Sequence, residues 1–176
     1  MQAQDVLEIV NQLEKARVVI WLDGGWGVDA LVGRQTRPHG DVDVVISLDQ
    51  ARFVEETLRS AGYVVTEDER PTRFVMRDSQ GRTIDCHPVT FDQQGDGIQQ
   101  LPDGTDFHYP REGLAGIGHV EGQVIRCITA RAQVLCHLGY EPDEKDLHDM
   151  QQLREHFQVD VPEPYSQLLN ERSTGH

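Results

Sequence analysis

The chain has 176 residues, 38% of them hydrophobic, enough to bury the core of one ordinary domain and too few for two full-sized ones. Thirty acidic residues against sixteen basic ones give a net charge of −14, which argues against partners that need clustered Lys and Arg, such as nucleic acid or an anionic membrane, and leaves room for a cationic small molecule. Cys86, Cys127 and Cys136 form no C-x-x-C pair and read as buried thiols, while the acidic, leaderless start and the lack of a long apolar run predict a cytoplasmic protein.

Val6, Ile9, Val10 and Leu13 recur at helical spacing and predict an amphipathic helix over 3–16. The β-branched run Val18 to Leu22 predicts a buried strand, broken by Asp23-Gly24-Gly25. A helix from Trp26 to Val32 stops at Gly33, and 34–40 is a polar loop. Residues 41–46 alternate carboxylate and valine and read as a strand. A helix capped by Ser47 or Asp49 runs to about Ser60. Strands follow at 63–67, 72–77 and 83–91, with Ser79-Gln80-Gly81 turning between the last two. Residues 92–106 are rich in turn residues and read as a long loop or an irregular hairpin. A hairpin over 117–128 turns at Glu121-Gly122, and helices follow at about 130–138 and 142–157. The tail after Val159 holds Pro162 and Pro164 and reads as loosely attached. The order predicts an α+β fold: a mixed β-sheet with flanking helices and a small helical C-terminal part.

Three signals carry chemistry. Asp41 and Asp43 share one face of a strand, with Cα atoms about 7 Å apart. Their repulsion calls for compensation, and a hard divalent cation such as Mg²⁺ supplies it; a solvated edge strand is the bland alternative. Gly24-Gly25 at a strand-to-helix junction allows a phosphate to approach the backbone and the helix N-terminus, although a tight turn alone would also explain it. Asp85 is a third strand-borne carboxylate, suited to in-line displacement at phosphorus or to accepting a hydroxyl proton. His87 shares its face and reads as a hydrogen-bonded packing residue, and Trp21 as core.

These motifs carry a resemblance. The segment WLDGGWGVDALVGRQTRPHGDVDVVI, residues 21–46, with Ile84-Asp85-Cys86-His87-Pro88, resembles the small antibiotic nucleotidyltransferases of the polymerase β-like superfamily. It looks most like the short lincosamide nucleotidyltransferases and is more distantly similar to the aminoglycoside 2″-nucleotidyltransferases. The resemblance implies a polymerase β-like fold and Mg²⁺-dependent transfer of a nucleoside monophosphate from a nucleoside triphosphate to a drug hydroxyl. It implies that Asp41, Asp43 and Asp85 hold the metal, as two ions, with Asp85 also a candidate general base. Gly24 and Gly25 would lie at the phosphates, with Arg34, Arg37 and His39 as further nucleotide contacts.

On the acceptor side, Trp26 is expected to pack on the ligand. Asp146 and Asp149, at i and i+3 of one helix, read first as a solvated acidic face and are also the candidates to meet a substrate amine; residues 141–163 carry eight acids against Lys145 and Arg154. Residues 1–110 would form the nucleotidyltransferase core and 111–176 an acceptor-side extension of the same unit, with a homodimer expected from related enzymes. The rivals are an aminoglycoside acceptor and a non-catalytic, antitoxin-like domain acting by protein binding. Loss of a carboxylate would favour the latter, and all three are present.

Overall fold

The structure is a computed structural model that describes residues 1–174. A mixed sheet runs in the order β3-β4-β5-β2-β1-β9-β8. Its strands are β1 (Ile20–Asp23), β2 (Asp41–Ser47), β3 (Val64–Glu69), β4 (Arg73–Arg77), β5 (Thr83–Phe91), β8 (Gly116–Val120) and β9 (Gln123–Cys127). β2 runs parallel to β5 and β1 parallel to β9, while the other neighbours are antiparallel. The hairpin of β6 (Gly97–Gln100) and β7 (Asp106–Tyr109) continues from the end of β5.

Alternation along the strands divides the two faces. Val42, Val44, Ile46, Ile84 and Cys86 pack with α1 (Ala3–Lys15) and α3 (Ala51–Ser60) in the main core, where Val6, Ile9, Val10 and Leu13 are all buried. The residues between them, Asp43, Asp85 and His87, therefore point to the other face. That face is covered by the β6–β7 hairpin and by α4 (Ala130–Cys136) through a second apolar cluster of Val45, Val89, Tyr109, Ile128 and Ala132. A third cluster packs α2 (Gly24–Val32) on α4, α5 (Glu144–Phe157) and α6 (Tyr165–Thr174).

Three local outcomes differ from the sequence reading or resolve it. α2 starts at Gly24 rather than Trp26, because the Asp23 carboxylate caps the helix through the Gly24 N–H at 2.6 Å. Of the two readings for 92–106, the hairpin is the one that forms, pinned to the end of β5 by Thr90↔Ile98 pairing. The segment after Val159 is not a loose tail: Tyr165 and Leu169 of α6 are buried, and the Tyr165 hydroxyl donates to the His137 carbonyl at 2.8 Å. Among the described residues, no helix is long and apolar enough to cross a membrane.

Candidate active site

The strand register builds the site. Asp23 on β1 pairs with Asp43 on β2, and Asp43 pairs with Asp85 on β5, so three adjacent strands carry a row of carboxylates. Asp43, Asp85 and His87 each offer a ligand atom within 4.8 Å of one another. The carboxylate oxygens are hard donors of the kind Mg²⁺ takes, so the residues present fit that ion; the His87 nitrogen is a softer donor. Asp41 is on the same face but lies outside this group, exposed opposite Thr83, one pleat short of the row. Burial raises the Asp43 carboxyl above its ordinary value, and the charges of Asp41 and Asp23 add to this against the opposing pull of His87.

His87 is hydrogen-bonded among the carboxylates, as its place on the strand predicted. Its Nε2 lies 3.3 Å from Asp43 Oδ1 and 3.9 Å from Asp85 Oδ1, and its Nδ1 lies 3.2 Å from the Gln99 amide. Burial disfavours the protonated ring, but the bond to Asp43 and the charges of Asp43, Asp85 and Asp23 outweigh it and lift His87 to about 9. Gln99 also donates to the Thr72 carbonyl, and the Tyr109 hydroxyl reaches both Gln99 Oε1 and Asp23 Oδ2. Asp85 is gripped by Arg73 of β4, whose Nη2 lies 3.0 Å from Oδ2 and whose Nε lies 3.3 Å from both oxygens. Arg73, Gln99 and Tyr109 carried no sequence signal of their own; each is placed by a pairing that a linear reading does not contain.

The glycine turn lies against the same carboxylates. Gly24 has φ +54°, and a Cβ there would overlap the Asp43 carboxylate. A Cβ on Gly25 would overlap Arg37 and His39. A cleft of about 630 Å³ brings Gly24, Gly25, Asp43, Arg73, His87 and Arg37 together with Leu101, Pro102, Phe107, Leu138, Tyr140 and Asp146.

Of the other sequence candidates, Arg34, His39 and Trp26 lie outside the cleft lining, and Asp146 and Asp149 belong to it. Arg34 is exposed and lines a separate hollow with Trp26, His119 and Glu121. His39 is buried, with Nε2 on Asp29, which also accepts from the Thr36 N–H; it fastens the 34–40 loop rather than facing the cleft. Trp26 is buried in the core, its ring tilted against that of His39 with centroids 4.7 Å apart, so it presents no surface to an acceptor in the cleft. Asp146 borders the cleft, accepting from Tyr140 Oη at 3.2 Å and the Asp143 N–H at 2.9 Å. Asp149 is 1% exposed and held by Arg37. Cys86 and Cys127 are buried as expected, and Cys136 lies half-buried at the cleft.

A mixed sheet with a glycine turn at a helix start and acids aligned on neighbouring strands is an arrangement suited to nucleotidyl transfer, and relatives of that class share the fold. Residues 5–153 match the family described as aminoglycoside-2″-adenylyltransferase. A lincosamide resistance protein of Staphylococcus haemolyticus is 30% identical over 86% of this chain and 93% of its own length. A 2″-aminoglycoside nucleotidyltransferase of Klebsiella pneumoniae is 28% identical over 76% of this chain and 71% of its own. The lincomycin-bound lincosamide antibiotic adenylyltransferase LnuA matches with a TM-score of 0.77 at 30% identity, over 86% of this chain and 95% of that one. ANT(2″)-Ia in complex with adenylyl-2″-tobramycin shares the fold, with a TM-score of 0.76 at 18% identity over 97% and 98% of the two chains. The chain belongs to the aminoglycoside-2″-adenylyltransferase family.

Proposed function

We propose that the protein transfers AMP from a nucleoside triphosphate to a hydroxyl of a lincosamide antibiotic, releasing pyrophosphate and conferring resistance. The observation that carries this reading is the composition of the cleft, which joins the Asp43 and glycine-turn side to an apolar wall of Leu101, Pro102, Phe107, Leu138 and Tyr140, bordered by Asp146 and by Asp149, whose charge Arg37 already matches. That pairing suits an acceptor with a large apolar surface and a single amine. The 30% identical lincosamide resistance protein supports the same acceptor class.

The triphosphate lies against Gly24 and Gly25, where the start of α2 favours anions, with Arg37 alongside. Asp43 and Asp85 would hold Mg²⁺, with Asp41, exposed one pleat away, as a further carboxylate at the end of the strand. When bound there, Mg²⁺, as two ions, neutralises charge on the phosphoryl oxygens. The acceptor oxygen attacks the α-phosphorus in line; the new O–P bond forms as the bond to the bridging oxygen breaks, and pyrophosphate leaves. Asp85 receives the hydroxyl proton, its carboxylate oriented by Arg73. Residues 1–110 supply the carboxylates and the glycine turn, and 111–176 add Leu138, Tyr140 and Asp146 to the acceptor side begun by Leu101, Pro102 and Phe107, in a cytoplasmic enzyme that works as a homodimer.

An aminoglycoside is the second reading, favoured by the Klebsiella pneumoniae relative. A polycation needs several uncommitted carboxylates. In this cleft Asp149 is bound to Arg37, and Asp23 to Gly24 N and Tyr109. Pyrophosphate release, measured with a panel of lincosamides and aminoglycosides, each triphosphate and Mg²⁺, separates the readings. Turnover of a lincosamide with ATP is expected. Reaction with aminoglycosides alone would keep the chemistry and overturn the acceptor, and no release with any of them would overturn the reading.

A further inference from the structure

We propose that Asp149 is a positioning residue for the triphosphate, acting through Arg37, and not a contact for the acceptor amine. The inference rests on the placement of the triphosphate at Gly24-Gly25. Asp149 sits on α5, in the C-terminal part of the chain, 112 residues from Arg37. Both of its oxygens are committed: Arg37 Nε donates to Oδ1 at 2.8 Å and Nη2 to Oδ2 at 2.6 Å. This is the two-pronged geometry in which guanidinium and carboxylate bind most strongly. Asp149 borders the cleft but is 1% exposed and its charge is already matched, so a ligand ammonium finds no unpaired charge there.

What the pair does is fix Arg37. Residues 34–40 form a polar loop between α2 and β2, the kind of segment that wanders unless tied. α5 ties it at two adjacent points, through Asp149 on Arg37 and through His148 Nε2, 3.0 Å from the Thr36 hydroxyl. Asp29 of α2 holds the same loop from the other side, accepting from the Thr36 N–H and hydroxyl and from His39. The guanidinium is left lying against Gly25, where a Cβ would strike its Nη2. Nη1 donates to the Pro38 carbonyl at 3.2 Å, and further N–H groups on Nη1 and Nη2 remain for an anion at the glycine turn. A flexible arginine would lose side-chain entropy on clasping phosphate; one already locked by a buried carboxylate has lost it on folding. The C-terminal helix thereby contributes to nucleotide binding, and Asp146, which borders the cleft beside Tyr140, remains the acid for the acceptor.

The test is a set of separate KM values for triphosphate and acceptor in the wild type, Arg37→Gln, Asp149→Asn and the double variant, with Tm as the control for folding. Arg37→Gln and Asp149→Asn are each expected to raise the triphosphate KM by about tenfold, the scale of a charge-assisted hydrogen bond, and to leave the acceptor KM within about twofold. The double variant is expected to be no worse than Arg37→Gln alone, because the aspartate acts only through the arginine. If Asp149→Asn does not fold, Asp149→Glu keeps the charge and displaces the fork, and the same rise in triphosphate KM is expected. A raised acceptor KM with an unchanged triphosphate KM in either Asp149 variant would overturn the inference. So would additive effects in the double variant. If Arg37→Gln raises the triphosphate KM and Asp149→Asn does not, only the positioning role falls. If Arg37→Gln itself leaves the triphosphate KM unchanged, the triphosphate does not lie at the glycine turn, and both readings fall.

Discussion

Gly24 shows how much of the site depends on a missing side chain. Its φ of +54° is left-handed, and the space a Cβ would take belongs to the Asp43 carboxylate. Gly24→Ala is expected to lower stability by about 1–2 kcal/mol, the cost of the left-handed backbone, and to push Asp43 out of its row. A displacement of that kind should cut kcat by about 100-fold while Tm moves only modestly. An unchanged kcat in the folded variant would show that Asp43 can shift without consequence. The glycine pair was legible from its place between a strand and a helix, and Asp43 and Asp85 from the conflict between carboxylate and strand. That His87 is hydrogen-bonded was legible, but its partner was not, because Asp43 is 44 residues away and only the β2–β5 register brings the two together. Arg73 was invisible for the same reason, since its meeting with Asp85 needs the β4–β5 pairing. Trp26 and His39 could not be assigned from sequence because aromatic and imidazole side chains near a glycine turn serve core and loop as readily as ligand; the structure puts Trp26 in the core and His39 on Asp29.

Turns and helix ends set the elements around the site. Asp78 closes the β4–β5 turn: its carboxylate accepts from the Gln80 and Arg82 N–H groups at 2.9 Å and from Arg82 Nε at 2.6 Å. Burial pushes its carboxyl up, but the Arg82 and backbone hydrogen bonds prevail and hold it below the ordinary value. A depressed carboxylate stabilises the fold above its unfolded pKa of about 3.9 and loses that contribution as pH falls through the folded value. Asp78→Asn is therefore expected to cost about 1–2 kcal/mol at neutral pH, read from urea midpoints, with the gap to wild type closing below about pH 4. A gap that stays constant with pH would remove the ionic contribution. α6 was missed because Pro162 and Pro164 read as helix breakers, yet a proline is well tolerated at a helix start. Tyr165 then anchors the α4–α5 connection through the His137 carbonyl, next to the cleft-lining Leu138, Gly139 and Tyr140. Tyr165→Phe keeps the packing and orphans that carbonyl. It should lower stability by about 1–3 kcal/mol and raise the acceptor KM several-fold with the triphosphate KM unmoved. An unaltered acceptor KM would separate α6 from acceptor binding.

At the scale of the whole molecule, the order of elements was readable because alternation and turn residues mark most strands, and the mixed sheet with a helical C-terminal part followed from it. What was not readable is which strands become neighbours. β9, from the later part of the chain, joins the sheet beside β1, and α5 crosses back to hold the loop before β2. Proximity of this kind comes from long-range packing, which leaves little trace in local composition. The carboxylate row is its chemical product and the centre of this account. Its most direct test is turnover of the Asp43→Asn variant, assayed as Mg²⁺-dependent pyrophosphate release from ATP with lincomycin and paired with a thermal melt. The swap removes one charge with almost no change of shape, so Tm should stay near or above that of the wild type while pyrophosphate release falls to background. Wild-type release from a folded Asp43→Asn protein would contradict the assignment of this site.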